Sequence, residues 1–209
     1  GKWIAADFIV DFTNRIKPIV EETEPSFFEV TVAMAFEWFT QQQVDIAIIE
    51  TGLGGRLDST NIITPELSII TNIGWDHMNL LGDTLEKIAF EKAGIIKPNI
   101  PVVIGETLPE TKTIFQQKAT GLSSVIYFSE EIFTIENLSL QPAALTIQLH
   151  EKSSQQQVEV STDLPGIYQQ YNLRTVMTAV KVLQQIGWQL NKATTHNALL
   201  KVQSVTGLY

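Results

Sequence analysis

The chain contains no cysteine. That excludes a disulfide framework, a thiolate nucleophile and any cysteine-bound metal. No apolar run approaches the roughly 18–20 residues that a membrane helix needs, so no membrane partner is expected. No signal-peptide pattern is present either, which makes the cytoplasm the expected compartment. Positive charge is scarce: 14 Lys and Arg stand against 23 Asp and Glu, a formal net charge of −9. Such a surface repels a phosphate backbone, which argues against a general nucleic-acid binder. Small anions can still bind where a metal ion or a few local cations reverse the field inside a cleft.

What is present is enough apolar material for a sizeable core: 44% of the 209 residues are hydrophobic and 18% charged. Disorder is therefore not the default. Residues 5–17 place Phe8, Ile9, Phe12 and Ile16 at helical spacing, with a stop expected near Pro18. Ser26-Phe27-Phe28-Glu29 has the form of a capping box. The helix it opens, through about Phe39, is apolar on nearly every side and is expected to be buried. Three short apolar runs follow, at residues 44–50, 67–73 and 101–104. Runs without alternation predict strands of a parallel sheet, and the helices before and between them give an α/β class. From about residue 122 to 162 the pattern alternates, at 125–128, 133–135, 145–150 and 158–160, which predicts a small antiparallel sheet. Helix then returns, with Leu173, Val176, Met177, Val180 and Leu183 three or four apart.

Chemistry gathers at the expected strand ends, where ligands bind in open α/β sheets. Glu50 closes the first run, before Thr51-Gly52-Leu53-Gly54-Gly55-Arg56. It could hold Mg²⁺, which takes one or two carboxylates with waters and phosphate oxygens, or it could simply face solvent. The glycines suggest a dinucleotide site, but that requires a helix to begin inside the motif. The residues through Asn61 to Pro65 read instead as loop, which leaves an NAD-binding oxidoreductase a distant alternative. The second run leads into Gly74-Trp75-Asp76-His77, an imidazole beside a carboxylate suited to metal or proton chemistry, or to a structural hydrogen bond. A third element starts at Asp83-Thr84-Leu85-Glu86, a second capping-box form, with Gly94 as its expected stop. Lys92 falls on the same face as Leu85, Ile88 and Ala89. A lysine there either has a special role or merely complements the helix C-terminus.

Taken together, residues 50–61, Ile73-Gly74-Trp75-Asp76-His77, Leu81-Gly82-Asp83-Thr84 and Glu91-Lys92-Ala93-Gly94-Ile95-Ile96-Lys97 resemble the folylpolyglutamate synthase/dihydrofolate synthase family, relatives of the Mur ligases. The resemblance implies a P-loop-NTPase-like central ATPase domain over residues 1–209, with a small antiparallel sheet appended. It implies that ATP phosphorylates the carboxylate of a folate or dihydropteroate, and that L-glutamate displaces the phosphate to form an amide. By the same resemblance Glu50 and His77 are expected as Mg²⁺ ligands, His77 also as a catalytic group, and Lys92 as a carbamylated lysine. Gln169 and Asn172 are expected near adenine, although Tyr168 stands where a histidine would be expected. Arg56, Asp58, Asn61 and Asp76 are supporting candidates, and the full-length enzyme is expected to be a monomer. No Gly-x-x-Gly-Lys-Ser/Thr phosphate loop occurs, so a partial chain lacking the phosphate-loop segment and a C-terminal domain is expected. The competing reading is a nucleotide-binding remnant of the same fold without catalysis.

Overall fold

The computed structural model describes residues 3–75 and 77–207. The chain divides into two compact units, Gly1–Ile63 and Thr64–Tyr209. Each is built differently.

In the first unit, α1 (Ala6–Thr23) and α2 (Phe27–Gln42) are held by side chains from both helices. The Phe8 and Trp38 rings lie 4.8 Å apart, and Arg15 pairs with Glu37 while covering the Phe12 ring. The capping box forms as expected: the Glu29 amide donates to Ser26 Oγ (3.2 Å), and the Ser26 amide donates to Glu29 Oε2 (2.7 Å). Hydrogen bonds from the Ser26 hydroxyl and the Ser26 amide hold the Glu29 carboxyl below its ordinary range. Three expectations fail here. First, α1 runs through Pro18 rather than stopping at it. Pro18 and Asn14, whose carbonyl it leaves without a partner, are both exposed, so water can take the lost bond. Second, no residue of α2 is fully buried, and Phe27 is 84% exposed, because α2 carries apolar side chains on more sides than its unit covers. Third, residues 44–50 join no sheet and Ile48 is 92% exposed. Among its described residues this unit holds no strand, so the apolar run has no ladder partner there.

The loop beyond Glu50 folds around one acid. Asp58 Oδ2 accepts from the Leu53 amide at 2.8 Å, and its Oδ1 accepts from the amide and hydroxyl of Thr60. Asp58 thereby caps the short 3₁₀ turn Ser59–Ile62. Burial alone would raise its carboxyl. The hydrogen bonds from Thr60, Leu53 and Gly52 outweigh burial and hold it below the usual carboxylate value. Gly52 is needed for space, since a β-carbon there would lie 2.4 Å from the Phe28 ring.

In the second unit the chain runs β1 (Ser68–Ile70), α3 (Met78–Leu81), α4 (Leu85–Lys92), β2 (Val102–Ile104), α5 (Pro109–Gly121), β3 (Ile126–Phe128) and α6 (Ser129–Ile132). It continues with β4 (Phe133–Gln141), β5 (Ala144–Glu151), β6 (Gln156–Thr162), α7 (Gln169–Gln185), α8 (Lys192–Leu199) and α9 (Val202–Thr206). Among the described residues β1, β2 and β3 form a parallel sheet in that order, and β4, β5 and β6 an antiparallel one. The α/β class is as expected, but the run at 125–128 belongs to the parallel sheet. Its alternation misled because β3 is an edge strand, with Ile126 and Tyr127 only half-buried. Only β2, the middle strand, is buried at every position; Ile69 of β1 is partly exposed. No helix among the described residues is long and apolar enough to cross a membrane.

The helix that joins the two sheets is α7. One face carries Leu173 into the core of the antiparallel sheet, with Phe133, Leu145, Ile147, Leu149 and Val160, and Met177 packs beside it. The other face buries Arg174, Thr175, Thr178, Ala179 and Val182. The apolar spacing identified the first face and missed the second, which is largely polar; Val176, expected inward, is exposed. Thr175 approaches β2 so closely that a β-carbon on Gly105 would stand 2.4 Å from its hydroxyl oxygen and 2.3 Å from the Thr71 carbonyl oxygen.

Two stability measurements check these placements. Asp58→Asn should cost about 1–3 kcal/mol at neutral pH, because it disrupts hydrogen bonds to a buried acceptor. The folded carboxyl titrates below its unfolded value of about 3.9, so its contribution is full above that value and is lost as pH falls through the folded pKa. Denaturant titrations of both proteins between about pH 7 and pH 3 should show the gap closing only at the acid end. Gly105→Ala should cost about 1–3 kcal/mol by overpacking, read as a lowered denaturation midpoint with an unchanged slope.

Candidate functional site

The carboxyl ends of the parallel strands are tied together beyond the ladder. The Gly105 amide donates to the Ile70 carbonyl (2.8 Å) and the Glu106 amide to the Thr71 carbonyl (2.9 Å). Asn72 Nδ2 donates to Glu106 Oε1 at 3.4 Å, and the Thr107 amide to Glu130 Oε1 at 3.4 Å. Arg174, from the second turn of α7, completes the rim. Its Nη2 donates to Glu130 Oε1 (3.1 Å) and to the Gly105 carbonyl (3.3 Å), with the guanidinium 5.6 Å from the Tyr171 ring centre. Neither Arg174 nor Glu130 was anticipated as a site residue. The available signal was a charged residue at position 174, directly after the core position Leu173.

Four of the expected site residues are described in this unit. His77 has left-handed backbone (φ 47) and caps α3, its carbonyl accepting from the Leu80 and Leu81 amides at 2.8 and 2.9 Å. Lys92 ends α4, half-buried, one turn beyond the buried Ile88 and Ala89. The N-cap of α4 is Thr84 rather than Asp83, which instead pairs with Lys87 at 2.7 Å. Gly94 does not stop the helix in left-handed geometry, because a 3₁₀ turn, Ala93–Ile95, continues it. Gln169 and Asn172 meet in the first turn of α7, where Asn172 Nδ2 donates to Gln169 Oε1 at 2.8 Å. Each amide keeps donor or acceptor capacity beyond that bond, and a paired donor and acceptor is what the N6–N7 edge of adenine accepts. Tyr168 beside them is exposed.

The first unit carries Glu50, Arg56, Asp58 and Asn61. Glu50 is exposed at the end of the unpaired segment. Arg56 is exposed, and its carbonyl accepts from Asn61 Nδ2 at 3.3 Å. Asp58 has both carboxyl oxygens engaged by the loop, which makes it an organiser of that loop. Asp76 lies outside the described residues. Among the described residues no group of three His, Asp or Glu stands together as a metal cage. Mg²⁺ does not require one, since waters and phosphate oxygens complete its shell. Glu50 offers the hard oxygen donor that fits Mg²⁺, whereas the imidazole of His77 is a softer ligand.

Comparison with known proteins bears on what these elements serve. The chain is 39% identical over 181 residues to the dihydrofolate synthase/folylpolyglutamate synthase of Bacillus subtilis (strain 168), a match covering 82% of this chain and 41% of the relative. It is 34% identical over 196 residues to the folylpolyglutamate synthase of Lacticaseibacillus casei, covering 93% of this chain and 46% of that protein. The chain thus spans a little under half the length of these curated relatives. The fold superposes on a solved FPGS–AMPPCP–folate complex with TM-score 0.84 at 30% identity, covering 93% of this chain and 48% of that one. The family model described as the Mur ligase middle domain matches residues 8–180, most of the chain, and the chain belongs to that family.

Proposed function

We propose that this chain is the central part of a longer ATP-dependent amide ligase that joins L-glutamate to a folate or dihydropteroate carboxylate. The observation that carries this reading is similarity over 82% and 93% of the chain to enzymes bearing those names, with a structural relative solved around AMPPCP and folate together. The phosphate loop absent from these 209 residues is assigned to the remainder of the longer protein, and the cytoplasm is its expected compartment.

The reaction has two transfers. An oxygen of the folate-side carboxylate attacks the γ-phosphorus of ATP, the bond to the bridging oxygen breaks, and ADP leaves behind an acyl phosphate. The glutamate amine then attacks the acyl carbon, loses its proton, and expels inorganic phosphate as the amide forms. Bringing three anions together on a chain of net charge −9 demands local positive charge. Mg²⁺, when bound, supplies it by neutralising phosphate oxygens. Glu50 would hold that ion, with His77 the second candidate.

Gln169 and Asn172 are proposed to read the adenine edge, which fits their paired amides at the opening of α7. Lys92 is proposed to act as its carbamate. Its neutral amine would add carbon dioxide and release a proton, turning a cationic stem into a carboxylate-like anion. Its half-buried place beyond Ile88, with no carboxylate paired to it among the described residues, is compatible with that change.

In the full-length ligase, ADP, phosphate and the amide should appear in equal amounts, and the 209-residue chain alone should not turn over. Lys92→Ala should lower kcat about 100-fold or more, and formate or acetate should restore part of it, as expected when one preorganised electrostatic group is removed. ADP release without amide would contradict the ligase reading. Full activity of Lys92→Ala without added acid would leave Lys92 an ordinary helix-end lysine.

A further inference from the structure

The buried charge on α7 is the feature that the proposed chemistry does not use. Arg174 is 8% exposed, and its Nε has no protein partner, nor do the buried hydroxyls of Thr107 and Ser129, which flank the same Glu130. Stability alone is a weak reason for such an arrangement. Well-packed apolar replacements of buried ion pairs are often as stable or more so, whereas a fork-shaped cation bonded to two fixed acceptors specifies orientation.

The acceptors lie on two different strand ends: the Gly105 carbonyl follows β2, and Glu130 follows β3. Glu130 Oε1 also accepts from the Thr107 amide, so one carboxylate ties its own segment to two others. At about 100° per residue, Arg174 stands some 160° around α7 from Asn172 and some 140° from Gln169. The ion pair therefore grips one side of the helix while the amides occupy the other, where Asn172 is exposed. A grip on the far side fixes rotation about the helix axis, and rotation is the movement that would swing Gln169 and Asn172 out of place. Thr175 against Gly105 and Lys181 paired with Glu151 hold α7 by other means, so losing the pair loosens its angle without detaching it.

From this geometry we infer that Arg174 and Glu130 are positioning residues for nucleotide binding, setting the rotation of α7 that presents Gln169 and Asn172. The inference rests on the proposed adenine role of those two amides. It assigns Arg174 no contact with substrate.

The test uses the full-length ligase carrying Arg174→Met, Arg174→Lys, Glu130→Gln, Asn172→Ala, or Arg174→Met with Asn172→Ala. Steady-state constants are measured for ATP and for glutamate, with thermal melts to confirm folding. Arg174→Met and Glu130→Gln should each raise the ATP KM about 10-fold, with kcat at saturating ATP within about twofold and the glutamate KM unchanged. Arg174→Lys, which keeps the charge but loses the fork, should recover part of the loss. In the double variant Arg174→Met should add much less than its own factor to the effect of Asn172→Ala, because Arg174 acts through Asn172 and Gln169 and only Gln169 is left to misplace. If Asn172→Ala leaves the ATP KM unchanged, the adenine reading fails and the inference falls with it. If Asn172→Ala raises it but Glu130→Gln does not, or if the double variant shows the full product of the single effects, the positioning role is overturned while the adenine reading stands. Should Arg174→Met not fold, Glu130→Gln decides alone, since Glu130 is partly exposed and its replacement nearly isosteric.

Discussion

The placement of α7 against the end of β2 is the constraint on which the second unit depends. Thr175 and the Thr71 carbonyl leave room only for a glycine at position 105, so helix and strand end touch with nothing between them. The opposite side of the same helix supplies Leu173 to the core of the antiparallel sheet. Two sheets that share no ladder are thereby built on one common wall. Ion pairs fasten that wall near both ends, Arg174 to Glu130 beside the parallel sheet and Lys181 to Glu151 at the end of β5. The antiparallel sheet is thus a structural partner of α7, whose Leu173 completes its apolar core.

What was legible in the sequence was local. The capping box at Ser26 and Glu29 could be read because every group it needs lies within four residues. The antiparallel strands could be read because one solvent-facing side enforces alternation: β5 buries Leu145, Ile147 and Leu149 in turn. What failed depended on partners distant in sequence. An apolar run at 44–50 announces hydrophobicity but not a neighbouring strand to pair with. The alternation at 125–128 suits an edge of either sheet, and only the pairing of β3 with β2 decides between them. The buried polar face of α7 has no apolar signature at all, and Arg174 finds its acceptors 44 and 69 residues away.

The candidate site divides along the same line. Its motifs were recognisable as strings, yet the roles of their members separate only in three dimensions. Asp58 and Glu50 are both acids of one glycine-rich stretch; the first is consumed in shaping the loop and the second is exposed. Lys92 and Ile88 share a helix face as the period requires, but the lysine is half-buried rather than enclosed. Gln169 and Asn172 are one turn apart and bonded to each other, an arrangement whose aim is set by side chains on the far side of the helix. In this fold, chemistry carried by short motifs takes its direction from contacts of long sequence separation.

Native-state hydrogen exchange on the chain tests the central claim, that α7 makes the two sheets one cooperative structure. Amides of β2, of β5 and of α7 between residues 173 and 182 should reach a common opening free energy as denaturant is raised, because neither sheet can open while its shared wall stays folded. Exchange of β4, β5 and β6 at a distinctly lower opening free energy, with β2 and α7 still protected, would contradict the account.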